Sequence, residues 1–158
     1  MKKLFLETLL LTAIVAFPAT AMARVSVRVG IALPPAIAFS GPPRVIVMPD
    51  ANNVYVDPDL DADLFFWNGF WWRLWDGHWY RSPYYDRGWA YYRHVPRFYL
   101  HVDPDWRRYY RGREWHGHPW NYRWIPHREL QRNWRSWEHD RHWERHGAWG
   151  VKGYHGRH

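Results

Sequence analysis

The chain has 158 residues and no cysteine, which excludes disulfides, iron–sulfur clusters and covalently attached haem. Its 14 Trp, 11 Tyr and 7 Phe make 20% of the chain aromatic, and the formal net charge is +7. Residues 106–158 hold twelve Lys and Arg against five acidic residues, whereas residues 24–105 hold eight Arg against nine. The C-terminal part, with eight of the eleven histidines, is therefore the part suited to anionic partners.

The first 23 residues have the features of a secretory signal peptide. Lys2 and Lys3 precede a largely apolar stretch, residues 4–17, and Ala21-Met22-Ala23 supplies the small residues that signal peptidase accepts. The apolar stretch is too short for a membrane span, and no second one follows it. We therefore expect cleavage near Ala23 and a periplasmic or secreted mature protein.

Residues 24–43 predict one strand followed by an extended connector. Residues 25–31 alternate apolar residues with polar residues or Gly, which is the period of a strand. The stretch LPPAIAFSGPP (33–43) contains too much proline for a regular element. Two further short strands, 44–48 and 53–57, flank a turn of sequence PDAN.

A meander of three antiparallel strands is predicted next, at the centre of a β-domain spanning residues 44–125. Asn68-Gly69 and Asp76-Gly77 each stand between aromatic runs, and such dipeptides favour the type I′ turn of a two-residue hairpin. The strands are then 63–67, 70–75 and 78–82. Their register places three pairs of residues opposite each other: Trp67 and Phe70, Phe65 and Trp72, Leu74 and Trp79.

These strands carry rings on both faces, and we expect at most one face to be core. From residue 65 onwards there are 28 Phe, Trp and Tyr but only seven Val, Ile, Leu and Met, so most meander rings must build the core. The surplus rings and an arginine form the predicted ligand surface: Trp71, Arg73, Trp75, Tyr80 and Trp89. Sugars, single-stranded nucleic acid and protein partners all suit such a surface, and export favours a glycan or a protein.

The segment after the meander has little periodicity. Residues 84–92 repeat the aromatic–turn–aromatic unit loosely. Residues 96–125 are rich in Pro, Arg and rings, and we expect them to be irregular and partly wrapped around the sheet.

One helix is predicted over residues 126–146, because Pro126 suits a first turn and no breaker follows until Gly147. Leu130, Trp134 and Trp137 recur at helical spacing and should dock this helix on the sheet. The tail, residues 147–158, is expected to be disordered.

Two sets of polar residues resemble metal-binding patterns. His139, His142 and His146 would share one face of the helix and could bind Zn²⁺, Cu²⁺ or Ni²⁺, although a solvated face is favoured. Alternate Asp residues precede the meander, but Ala and Asn occupy the positions where an EF-hand needs Gly and Glu. We expect a polar strand edge made of Asp57, Asp59, Asp61 and Asp63, which would pair with Arg73 or Arg81. We expect no cofactor.

Catalytic motifs are missing from the sequence. It contains no G-x-S-x-G, no H-E-x-x-H and no Gly-rich phosphate loop, and the serines are few. We therefore expect a protein that is not an enzyme.

Several stretches together resemble a family of small, uncharacterised secreted Trp/Tyr-rich proteins of Gram-negative bacteria. They are the Pro-rich lead with its entry to the meander, GIALPPAIAFSGPPRVIVMPDANNVYVDPDLDADLFFWNGFWWRLWDGHWYRS, and the helix IPHRELQRNWRSWEHDRHWERH. The tryptophan units are also similar to bacterial Y-x-W-G-x-W repeats. The resemblance implies an exported protein and assigns no functional residues.

The sequence thus predicts a β-rich α+β fold: a small antiparallel aromatic meander sheet with one C-terminal amphipathic helix. The expected function is a non-catalytic, envelope-associated binding or structural module whose exposed Trp, Tyr and Arg meet a glycan or another envelope protein. The alternatives are binding of an anionic polymer by the basic C-terminal half, whether lipopolysaccharide, nucleic acid or a membrane surface, and binding of a metal by the histidines.

Overall fold

The computed structural model describes residues 32–51, 53–145, 147 and 149–154. The predicted signal peptide, 1–23, and the predicted strand 25–31 lie outside these residues. The strands are β1 (Arg44–Val47), β2 (Tyr55–Val56), β3 (Leu64–Trp67), β4 (Phe70–Trp75), β5 (His78–Ser82), β6 (Ala90–Tyr92), β7 (Glu114–Trp115), β8 (His118–Pro119) and β9 (Ile125–Pro126). The helices are a 3₁₀ helix (Arg97–His101), α1 (Trp106–Gly112), α2 (His127–His139) and α3 (His142–Arg145).

Seven of the strands form one antiparallel sheet in the order β6-β5-β4-β3-β2-β1-β9, and β7 pairs with β8 separately. The predicted meander is β3-β4-β5, and its predicted register is confirmed at all three pairs. Both turns have positive φ at their two central residues, as a type I′ turn requires: Asn68 and Gly69 in one, Asp76 and Gly77 in the other. The loose third unit adds β6 as a further strand. The β-rich α+β fold is thus confirmed.

The two faces of the sheet are covered by different structures. We call the side that carries Tyr55, Phe66 and Trp71 the helix face, because α2 packs on it. The opposite side, which carries Phe65, Trp72 and Trp79, is the loop face. All six of these side chains are buried. The expectation that only one face is core is therefore wrong.

The helix face is covered as the sequence predicted. Leu130 is fully buried, the Trp134 ring contacts Phe66 at 6.0 Å, and the Trp137 ring contacts Tyr55 at 6.1 Å. These contacts bury the apolar side of α2, while its other side faces solvent.

The loop face is covered by the segment that was expected to be irregular. Phe98 and Tyr99 of the 3₁₀ helix contact Phe65, at 5.5 and 6.0 Å, and Trp106 of α1 contacts it at 6.4 Å. Trp115 of β7 is also buried in this cluster. The prediction that residues 96–125 are irregular is wrong where these short elements form. The rings of this segment contact the sheet but do not recur at the spacing of one helical face, so no helical pattern is visible in the sequence.

The predicted long helix is interrupted. α2 ends at His139, Arg141 adopts φ 49°, and α3 begins at His142. On a continuous helix Trp143 would lie about 120° away from Trp137. The break instead brings the two indoles together at 5.0 Å, and the Trp143 Nε1–H donates to the Tyr55 hydroxyl at 2.8 Å. Burial of this second tryptophan is the physical reason for the break.

The described part of the tail is packed, so the prediction of disorder is wrong for residues 149–154. Trp120 and Val151 form an antiparallel bridge, and Val151 is buried. The Trp120 Nε1–H donates to the Trp149 carbonyl at 2.8 Å. The tail therefore completes the cover of the loop face.

Candidate functional site

The predicted ligand surface lies largely inside the protein. Trp71 and Tyr80 are fully buried and Arg73 is 5% exposed, whereas Trp75 and Trp89 are half-buried. Trp71 and Tyr80 therefore offer no open ring face to a ligand, and the Arg73 guanidinium is not accessible to one. Trp71, Tyr80 and Arg73 are buried because the helix face is covered at this end of the sheet as well. The sequence did not indicate that cover.

The proline-rich connector lies over Arg73 and Tyr80. The Arg73 guanidinium donates to the Pro35 carbonyl, and the Tyr80 hydroxyl donates to the Ala32 carbonyl at 2.6 Å. Burial lowers the pKa of Arg73 and raises the pKa of Tyr80. The connector thus fixes both side chains with backbone oxygens, which are the same kind of acceptor that a ligand would offer.

A cleft opens further along the same connector. It has a volume of about 420 Å³, which lies in the range of roughly 300–1,000 Å³ found for small-molecule sites. We call it the connector cleft, and its lining comes from two stretches of the chain: Ala38–Arg44 on one side and Asp57, Asp59 and Leu60 on the other. The strand pair β1–β2 places these stretches together, since one precedes β1 and the other follows β2.

Asp57 is the buried polar group of this cleft. Only 5% of its surface is exposed, and one carboxylate oxygen accepts from the Asp59 backbone N–H at 3.2 Å. Burial raises the pKa of Asp57, against the lowering by that hydrogen bond and by Arg44. A carboxyl group in such an environment is a common feature of binding sites.

Asp59 and Arg44 form the polar rim. The Arg44 guanidinium donates to the Asp59 carboxylate at 3.0 Å and also lies 4.0 Å from the centroid of the Trp124 ring. The second oxygen of Asp59 accepts from the Tyr110 hydroxyl at 3.2 Å. Three contacts therefore hold the pair in one geometry before any ligand arrives.

Phe39 supplies an aromatic wall. Its ring contacts Tyr85 edge-on at 4.9 Å, and Tyr85 in turn contacts Trp71 at 6.1 Å and His127 at 5.1 Å. The wall is thus an extension of the buried ring cluster on the helix face. A ligand in the connector cleft would meet carboxylates, one guanidinium and one ring.

The alternate aspartates do not pair as predicted. Asp59 pairs with Arg44, and Asp63 pairs with Arg107 at 3.0 Å, so the expected partners Arg73 and Arg81 are wrong. Arg81 instead lies over the rings of Phe70, Trp72 and Tyr92. Asp61 is exposed.

Of the three candidate metal-binding histidines, the two that the structure describes do not share one helix face. His139 is exposed at the end of α2, whereas the His142 ring packs on Trp137 at 5.8 Å and on Trp143 at 4.8 Å. His146 lies outside the described residues. Within the described residues no three His, Asp or Glu side chains converge as metal ligands.

Residues of the connector cleft were not among the predicted site residues. The sequence did mark Asp57 and Asp59, but as a polar strand edge, and it gave no signal that Phe39 would stand across from them. The two stretches are separated along the chain, so their proximity depends on the β1–β2 pairing.

Comparison with known proteins gives no relative: no family profile, no curated protein and no solved structure matches the chain. The resemblance to secreted Trp/Tyr-rich proteins therefore stays a prediction. No helix in the described ranges combines the length and hydropathy needed to cross a bilayer.

Proposed function

We propose that this protein is a non-catalytic binding module of the bacterial envelope whose ligand is a neutral glycan. The observation that carries the proposal is the buried carboxyl of Asp57, open to a cleft that also contains Phe39 and the Arg44–Asp59 pair. The envelope location rests on the predicted signal peptide, residues 1–23.

The groups of the connector cleft match the chemistry of a sugar. Carboxylate oxygens accept hydrogen bonds from hydroxyl groups, and a guanidinium donates to ring and hydroxyl oxygens. The Phe39 ring can pack on the apolar C–H face of a pyranose. Arg44 contacts Asp59 and Trp124 at the exposed rim of the cleft, where its guanidinium can also reach a ligand.

One ring of the predicted ligand surface, Trp71, supports this site without touching the ligand. Trp71, Tyr85 and His127 form a contiguous ring cluster behind Phe39. The buried Trp71 ring anchors this cluster, and the cluster positions the Phe39 wall.

The test is a titration of the exported protein with neutral oligosaccharides, followed by isothermal calorimetry at low and high salt. We expect binding that hardly changes with salt, because hydrogen bonds and stacking to a neutral sugar are screened little. Mass spectrometry of the glycan before and after incubation should show no cleavage.

Two variants and one control locate the site. Asp57→Asn and Phe39→Ala should each raise the Kd about tenfold, the loss expected for a charge-assisted hydrogen bond or a ring contact. Asp76→Asn is the control, since Asp76 is exposed at a turn where Asn-Gly is equally favourable. If no neutral glycan binds, or if Asp76→Asn weakens binding as much as Asp57→Asn, the proposal is wrong.

A further inference from the structure

The solvent side of α2 carries a row of basic side chains. Arg128, Arg132, Arg135 and His139 are all exposed. At about 100° per residue they fall within about 60° of arc, opposite the apolar residues that dock the helix. We call these four residues the basic row. It extends about 16 Å along the helix axis, at 1.5 Å per residue.

The arginines of this row have no acidic partner within the part of the chain that the structure describes. Glu129, the acid in the first turn of α2, is bonded to Arg123 at 2.6 Å. Glu138 and Asp140 are exposed beside the C-terminal end of the row and form no ion pair with it. Among the described residues, then, no ion pair neutralises the three arginines of the row.

The helix that carries the row is anchored to the sheet. Leu130 and Trp137 are buried beneath it, and the Arg135 guanidinium lies 5.1 Å from the centroid of the Trp134 ring. A straight row of guanidinium groups suits a surface that offers many phosphates at once, since Arg binds phosphate with directed donors.

We propose that the basic row docks the protein on a phosphate-bearing lipid surface, separately from the connector cleft. One feature favours lipid over single-stranded nucleic acid. Nucleic-acid sites of that kind need exposed rings on which bases stack, whereas the tryptophans of α2 point toward the sheet. Because the row contains no apolar side chain, the helix would lie on the lipid headgroups without inserting.

The test is co-sedimentation of the exported protein with vesicles of phosphatidylglycerol mixed into phosphatidylcholine, and with phosphatidylcholine alone. The wild type should bind the anionic vesicles and release them as salt rises, because the attraction is screened beyond a Debye length. The triple variant R128Q/R132Q/R135Q should lower the partition coefficient on the order of a hundredfold at low salt.

A matched control separates the row from net charge. R93Q/R97Q/R111Q removes the same charge from exposed arginines that lie outside α2. This control should change vesicle binding about threefold or less. Circular dichroism of both variants checks that the fold is kept.

Three results would overturn the proposal. They are equal losses for the two triple variants, equal binding to neutral and anionic vesicles, and tighter binding to a single-stranded oligonucleotide than to anionic vesicles. None of them bears on glycan binding by the connector cleft, which involves other residues and a salt-insensitive titration.

Discussion

The two faces of the central sheet bury similar rings under very different covers. On the helix face one amphipathic helix, α2, supplies Leu130, Trp134 and Trp137 at regular spacing. On the loop face the cover comes from a 3₁₀ helix, α1, the β7–β8 ribbon and the C-terminal tail. The α2 part of the helix-face cover is periodic in sequence and was predicted, whereas the connector over Arg73 and Tyr80 and the whole cover of the loop face have no period and were not predicted.

The difference shows that an aromatic ring can cover a sheet without belonging to a long regular helix. An aromatic side chain buries roughly 150–250 Å², so a short helix with one or two rings covers as much surface as a longer aliphatic one. A cover assembled from four short pieces depends on every piece, including a tail in which no periodic pattern predicts packing.

The largest expected effect tests whether both faces are core. Trp71→Ala and Trp72→Ala alter neighbouring residues of β4 that point to opposite faces, and both are buried. Each should lower the free energy of unfolding by about 3–5 kcal/mol, measured by guanidinium denaturation. If Trp71→Ala costs less than about 1 kcal/mol, the helix face is not a core and the comparison fails.

A second prediction concerns the tail on the loop face. Val151→Asp places a carboxylate at a buried position and should cost about 2–3 kcal/mol of unfolding free energy. Lys152→Asp alters the exposed neighbour and should stay within about 0.5 kcal/mol. Equal, small effects in thermal or chemical unfolding would mean that the tail does not cover this face.

A smaller effect is the difference between the two hairpin turns, which share a type I′ backbone but lie in different surroundings. Gly69 and Gly77 both have positive φ, but a Cβ on Gly69 would lie 2.8 Å from the Trp134 ring, and one on Gly77 would meet nothing within 4 Å. Gly77→Ala should cost about 1–2 kcal/mol through the backbone alone. Gly69→Ala should cost about 1–2 kcal/mol more, because α2 must shift. Equal costs by denaturant unfolding would show that α2 does not approach this turn.

The smallest effect is a pH dependence confined to the helix face. Burial against Trp71 and Tyr85 lowers the pKa of His127 from its ordinary value, despite the opposing charge of Asp86. In the unfolded chain His127 therefore binds a proton near pH 6.5, whereas in the folded protein it binds one only at lower pH. The stability contributed by neutral His127 is lost as the pH falls below about 6.5. His127→Phe should flatten the stability profile between that pH and the lowered folded pKa. Parallel profiles for wild type and variant would contradict this.

Much of the sheet could be predicted because its signals are local. Asn68-Gly69 and Asp76-Gly77 select one turn type, and that turn fixes the register of β3, β4 and β5. The docking stripe of α2 could be predicted for the same reason, since helical spacing is a property of neighbouring residues.

The site could not be predicted in the same way. Trp71, Arg73 and Tyr80 were expected at the surface because ring content alone does not say which rings are covered. The connector cleft forms only when the stretch before β1 meets the stretch after β2. No sequence pattern within either stretch predicts that the two lie side by side.

By itself the sequence determined the type of each strong local element: two hairpin turns, their strands, and one helix with an apolar side. These depend on φ preferences and on periodicity, which act over a few residues. Only the tertiary structure decided that both faces of the sheet are buried, that α2 breaks so that Trp143 can reach Tyr55, and that Asp57 opens onto a cleft beside Phe39. The reason is that hydrophobic burial is non-directional, so many arrangements of 28 rings after residue 64 satisfy composition, and packing selects among them.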